Sequence, residues 1–293
     1  MAAALRRLLL ALGALGARGF VPGSVAFVPH VRVGPPTAGV GAEALPQHRQ
    51  ARTSLRTMPV QDGKTQSSPP GAERARPGEK KGFVEEMRFV AMKLHTREQA
   101  PKQGEAAPAP DAKPMTQWTP TKEKYLKFLV ESKAVYDAME EIVAGGSSPI
   151  YAAFVNTGLE RSAALAKDIA WFEASEGLTA PTADGPGAEY AAFLKKLAST
   201  SPPEFICHFY NVYFAHSAGG KMIGRKVSEM ILDGKTLEFY KWDCDGGLEQ
   251  ALAAVKTKLN AVAEAWDRAE KDRCLEETSK SFQLSGQLLR LIG

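Results

Sequence analysis

The chain has 293 residues, 44% hydrophobic and 24% charged, enough for one sizeable core rather than several large domains. Its net charge of +4 is unevenly spread: residues 1–72 carry eight lysines and arginines against two acids, net +6, leaving −2 for the rest. A near-neutral body excludes nucleic-acid binding through a basic surface, and three cysteines without metal-ligand spacing exclude a disulfide framework or a cysteine-bound zinc site.

The chain begins MAAALRRLLLALGALGARG, a charged start followed by an apolar run from Leu8 and the small residues Ala14–Ala17. This predicts a signal-peptide-like segment over residues 1–19, too short to span a bilayer. Residues 20–75 are poor in acids and rich in Arg, Ala, Gly and Pro, which predicts a disordered, transit-peptide-like segment. Together they resemble the bipartite leader of proteins sent to plastids bounded by extra membranes, including a phenylalanine, Phe20, just past a plausible cleavage point. No later segment is a transmembrane candidate, so no membrane association is expected of the mature form.

From about Glu79 the composition turns helical. Phe83, Met87, Ala91 and Leu94 recur at i, i+4, i+8 and i+11, which predicts an amphipathic helix ending near Gln99. On such a helix Arg88 and His95, seven residues apart, leave one face about 10 Å apart. Residues 100–117 are Pro/Ala-rich without periodicity and read as a mobile loop. Thr119 and Pro120 then cap a helix to about Ala144, stopped by Gly145 and Gly146. Thr157–Glu160 matches a capping box that would open a helix to about Ser175, and a shorter helix is expected over 188–199.

Ser201-Pro202-Pro203-Glu204 reads as a second capping box, launching the stretch EFICHFYNVYFAHSAGGKMIGRKV from Glu204 to Val227. Each glycine inside a helix costs about 1 kcal/mol relative to alanine, so Gly219, Gly220 and Gly224 need a reason. Two readings stand open: close helix packing, or a bent helix roofing a planar ligand. An irregular aromatic segment, Leu237–Trp242, comes next, and after Gly247 two more helices are expected, one to about Arg268 and one to Leu291. No useful stretch alternates with period two. The fold class expected is all-α, a single multi-helix domain over residues 79–293.

Phosphate-binding, zinc-protease and serine-hydrolase motifs are absent. The body holds three histidines, His95, His208 and His216, and the last two, eight apart, cannot chelate one ion as an i, i+4 pair could. His95 stands out because a basic residue shares its face and a glycine-bearing helix exists elsewhere. An iron porphyrin needs such a set: an axial imidazole, cations for its propionates and a close opposite wall.

The motifs themselves carry a resemblance. MRFVAMKLHT (Met87–Thr96) resembles the proximal helix of plastid-type, ferredoxin-dependent heme oxygenases, and HFYNVYFAHSAGG at the centre of Phe205–Lys226 is similar to their distal helix. NTGLER (Asn156–Arg161), LEFYKW (Leu237–Trp242) and the segment Cys274–Ile292 extend the similarity over essentially all of residues 82–293. The resemblance implies heme b, sandwiched between a proximal and a kinked distal helix, as both cofactor and substrate. It implies His95 as the axial iron ligand, Arg88, Tyr210 and Lys256 at the propionates, and Gly219 and Gly220 as the backbone that closes over the heme. Lys256 stands where the family more often has arginine, which turns a bidentate contact into a point charge. His216 occupies the position of the distal aspartate of animal members and carries a water-positioning role as a hypothesis, motivated by a titratable group four residues before Gly220. His208 is expected to be structural.

The activity implied is oxidative ring opening to biliverdin, with release of ferrous iron and carbon monoxide, in the chloroplast stroma. Reduced ferredoxin is the implied donor, docking on a rim of Lys93, Lys221, Arg225 and Lys226; a bilin reductase is a candidate downstream partner, and a monomer is expected. The competing reading is a non-catalytic heme-binding or heme-buffering protein on the same fold.

Overall fold

Apolar spacing, proline starts and glycine stops carry most of the architecture, while the exact helix ends come from contacts distant in sequence. A computed structural model describes residues 76–107, 113–146 and 148–293. The leader segments expected over 1–19 and 20–75 lie outside the described residues, as does the middle of the 100–117 loop.

Nine α-helices and no strand occur among the described residues. They are α1 (Phe83–Lys93), α2 (Lys122–Ala144), α3 (Ser162–Glu176), α4 (Pro186–Thr200), α5 (Pro202–Ala215), α6 (Lys221–Ile231), α7 (Gly247–Ala263), α8 (Arg268–Glu276) and α9 (Thr278–Leu289). The last two replace the single helix expected beyond Arg268. A π-helical turn, His216–Gly220, joins α5 to α6.

The long α2 is the spine, packed along α4 and α3, while α5 lies among α4, α8 and α9 and α1 rests on α7, α8 and α9. One continuous core results, in which Tyr125, Tyr151, Tyr190, Phe172 and Phe205 are fully buried. Burying each such side chain contributes roughly 1.5–3 kcal/mol.

Several helix starts differ from expectation. The cap of α2 is Thr121, whose hydroxyl accepts from the Lys124 N–H, rather than Thr119. Thr157 and Glu160 do bond each other, but they close a turn. The helix itself begins at Ser162, where Glu140 Oε1 on α2 accepts from the N–H groups of Arg161 and Ser162. Ser201 precedes α5 without a side-chain cap, and the two prolines alone set the start. The N-terminus of α4 is held by Glu131, a buried carboxylate from α2 that accepts from the N–H groups of Gly185, Gly187 and Ala188. Burial pushes its pKa up, but the Lys127 ammonium and those N–H groups outweigh burial and hold it below the ordinary value.

Candidate heme site

Helix α1 ends at Lys93, not near Gln99 as its stripe suggested. The reason is a strap. The chain turns back after His95, and the N–H groups of Glu105 and Ala106 bond to the Lys93 carbonyl at 3.0 and 3.1 Å, taking the acceptor that the next helical turn would have used. Ala106 N–H also reaches the His95 carbonyl at 3.1 Å. His95 thus sits two residues beyond the helix, half-buried, and the straight two-turn geometry expected between it and Arg88 does not apply. The described part of the 100–117 stretch is hydrogen-bonded structure: the strap on one side, a 3-10 turn at Met115–Gln117 on the other.

The His95 ring is fixed from two sides. Its Nδ1 lies 2.9 Å from the Ala91 carbonyl, and Phe282 on α9 meets it edge-on at 5.2 Å. A carbonyl can only accept, so Nδ1 carries the proton of the neutral ring and Nε2 keeps its lone pair. Metal-binding histidines are usually oriented in this way through the other ring nitrogen.

The other two histidines are used up differently. His208 is fully buried, with Nδ1 2.6 Å from the Tyr190 hydroxyl and Nε2 2.9 Å from Glu277 Oε1, the structural role expected for it. His216 is buried, its Nε2–H donating to the Phe239 carbonyl at 2.8 Å and its ring stacked on Phe239 at 3.9 Å. Burial lowers its pKa to about 3, against the raising effect of that hydrogen bond. Desolvation thus keeps His216 neutral. Tyr213 is a core aromatic, packed on Phe209 and Tyr136.

Around Arg88 the structure assembles the remaining polar set. Arg88 Nε donates to Glu85 Oε2 at 2.9 Å and Nη1 to Gln103 Oε1 on the strap at 3.1 Å. Tyr210 on α5 feels both partners: burial pushes its hydroxyl pKa up, the Glu85 charge adds to this and Arg88 opposes it. Phe214 packs on Tyr210 at 4.5 Å, and the Lys256 ammonium lies 5.7 Å from the Phe214 ring. Arg88 thus lies on the Tyr210 side and Lys256 on the Phe214 side of one aromatic pair. Glu85, Gln103 and Phe282 were not singled out by sequence; Glu85 alone could have been, as an acid three residues before Arg88 on one helix.

The three distal glycines separate. A Cβ on Gly224 would collide with the Tyr240 ring, so this glycine serves helix packing. A Cβ on Gly220 would stand 2.9 Å from His216 Nδ1, so Gly220 makes room for the histidine. A Cβ on Gly219 would meet nothing within 4 Å, on an exposed surface that it shares with Ala215 and Ala218. The π turn produces this divergence by inserting an extra residue into the helical ladder and rotating α6 relative to α5, as such turns often do at functional sites. Asp168 on α3 fixes the turn's partner by accepting from the N–H groups of Glu238 and Phe239 at 2.8 and 2.7 Å.

The residues fit a heme. A histidine with a free Nε2, cations beside the Tyr210–Phe214 pair and a small-residue surface open at Gly219 are groups of the kind a porphyrin needs for its iron, its propionates and its close approach. On the rim, Lys93 pairs with Glu105 at 3.2 Å, Arg225 with Glu229 at 2.9 Å, and Lys221 lies over Trp242 at 5.6 Å.

Comparison with known proteins shows the family. The heme oxygenase family model matches residues 111–291. The chain is 58% identical over 216 residues to "Heme oxygenase 3, chloroplastic" of Arabidopsis thaliana, covering 74% of this chain and 75% of that protein. It is 40% identical to "Probable inactive heme oxygenase 2, chloroplastic" of the same plant, covering 74% and 76%. Among solved structures, heme oxygenase-2 from Synechocystis in complex with heme and NO shares the fold, with a TM-score of 0.56 at 19% identity over 72% of this chain and 84% of that one. The chain belongs to the heme oxygenase family. Within it, this is a heme-degrading oxidoreductase of the plastid group.

Proposed function

We propose that this chain opens heme to biliverdin in the chloroplast stroma, releasing ferrous iron and carbon monoxide, with electrons from reduced ferredoxin. The observation that carries the reading is His95: of the three described histidines it alone has its Nδ1–H bonded to a backbone carbonyl and its Nε2 left free. When bound, heme supplies the iron that activates oxygen on its own ring. The protein's residues do the rest.

His95 would hold the iron through Nε2, its ring kept in place by Ala91 O and the Phe282 edge. Arg88 and Lys256 would meet the propionates, Arg88 with its planar fork and Lys256 as a point charge, with Tyr210 beside Arg88. Gly219 lets the distal backbone lie against the ring, and Gly220 makes room for His216 behind it. His216 is a positioning residue: with a pKa near 3 it delivers no proton at neutral pH, and its Nε2–H ties the π turn to Phe239 O. The exposed Lys226 and its basic neighbours form the docking rim for an acidic donor. Residues 1–75 serve as a bipartite targeting leader, the mature form is a monomer, and a bilin reductase consumes its product.

A decisive test reconstitutes the chain with hemin and adds reduced ferredoxin and oxygen. Loss of the Soret band with growth of biliverdin absorption is the expected result. A Soret band that forms and persists would instead make the chain a heme carrier, as the resemblance to a probable inactive relative allows. No Soret band at all would remove both readings.

A further inference from the structure

Because His95 lies outside α1, no helical hydrogen-bond ladder holds its backbone in place. Its own N–H makes only an i−3 bond, to Met92 O at 3.3 Å. What does hold it is the strap. Ala100 N–H closes on Thr96 O at 2.9 Å and Gly104 N–H on Ala100 O at 2.7 Å, after which Glu105 and Ala106 return to Lys93 O and His95 O.

This return path brings Gly104 onto the backbone of the residues it restrains. A Cβ there would lie 2.7 Å from His95 O and collide with Thr96 O, closer than real Cβ atoms approach. The contact is backbone, so no side-chain rotation relieves it. One residue earlier, Gln103 Oε1 accepts from Arg88 Nη1. A single turn of the strap therefore touches both residues assigned to the heme on this side. Ala100 is buried beneath it, whereas Arg97, Glu98 and Gln99 are exposed, so the strap adds little to the core.

We propose that Thr96–Ala106 is a positioning element for heme, with Gly104 the residue that lets it close on His95 and Gln103 the residue that holds Arg88 toward the propionate. This rests on the assignment of His95 and Arg88 made above. Neither Gly104 nor Gln103 touches the reacting atoms; both act through the residues that do.

The test uses the full chain in three forms, native, Gly104→Ala and Gln103→Ala, with His95→Ala as the reference. Hemin affinity and the iron–imidazole stretching band of the ferrous complex are read by titration and resonance Raman spectroscopy. Gly104→Ala should shift or broaden that band and weaken hemin binding by about 10- to 100-fold, the usual cost of losing a ligand's support. Gln103→Ala should leave the band in place and weaken hemin binding while leaving hemin dimethyl ester, which has no propionate charge, bound as in the native chain. A native band and native affinity in Gly104→Ala would overturn the proposal. Should that variant not fold, Gln103→Ala decides alone, equal losses for both porphyrins or no loss for either standing against it. If His95→Ala keeps the band, the failure lies with the ligand assignment and not with the strap.

Discussion

The two sides of the candidate heme site are built on opposite principles. On the proximal side the helix stops short, the backbone is irregular, and His95 is half-buried with one nitrogen satisfied by its own chain. On the distal side helical winding continues through a π turn, and His216 is buried, stacked and bonded to a carbonyl 23 residues away. The difference teaches that availability for chemistry depends on what the surroundings leave unbonded, not on burial or helical position. His216 has its Nε2 committed to the Phe239 carbonyl, whereas His95 has only its Nδ1 engaged.

Removing one histidine from each side separates their roles. His95→Ala should lower heme turnover by more than about 100-fold, since even the partners of a metal ligand cost 10- to 100-fold. His216→Ala should retain heme binding in a spectroscopic titration. Comparable loss of binding in both would erase the distinction drawn between them.

The distal side should instead reveal itself in stability against pH. In the unfolded chain His216 takes up a proton near its ordinary pKa of 6.5, while the folded protein refuses it down to about 3. Folded stability due to this group is therefore complete above 6.5 and falls as pH drops toward 3, by up to about 1.4 kcal/mol per pH unit. Urea unfolding of His216→Phe across this window should show a shallower slope than the native chain; parallel slopes would contradict a buried neutral histidine.

The glycines sharpen the comparison further. Gly224→Ala forces a methyl against Tyr240 and should destabilise by about 1–3 kcal/mol in thermal melts. Gly219→Ala meets open space and should stabilise the apo protein by about 0.5–1 kcal/mol, while weakening hemin binding. Stabilisation with unchanged hemin affinity would mean that nothing approaches Gly219. Smallest of all, charge reversal at Lys226 should slow ferredoxin-supported turnover a few-fold, more at low salt, and leave ascorbate-supported turnover unchanged.

Much of this was legible from spacing and composition. The stripe through Phe83 and Met87 marked α1, the paired prolines marked the start of α5, and the glycine cluster marked the distal segment as unusual. What was not legible depended on distant partners. Leu94 continues the apolar stripe, so nothing local announces that α1 stops at Lys93; the stop comes from a strap returning a dozen residues later. Thr157 and Glu160 match a helix start in sequence, but Glu140 on another helix supplies the cap. The serine–alanine–glycine run suggested a kink yet not a π turn, because the extra residue is accommodated by His216 reaching Phe239, a pairing no local pattern encodes. The candidate heme-facing residues came from their motifs, whereas their partners Glu85, Gln103 and Phe282 had no such signal.

If His95, and not His216 or His208, presents its free Nε2 to the iron, resonance Raman spectroscopy of the ferrous heme complex of His95→Ala will show it. The expected result is loss of the iron–imidazole stretching band, restored by added imidazole. Persistence of the native band in that variant would contradict the claim and move the ligand elsewhere in the fold.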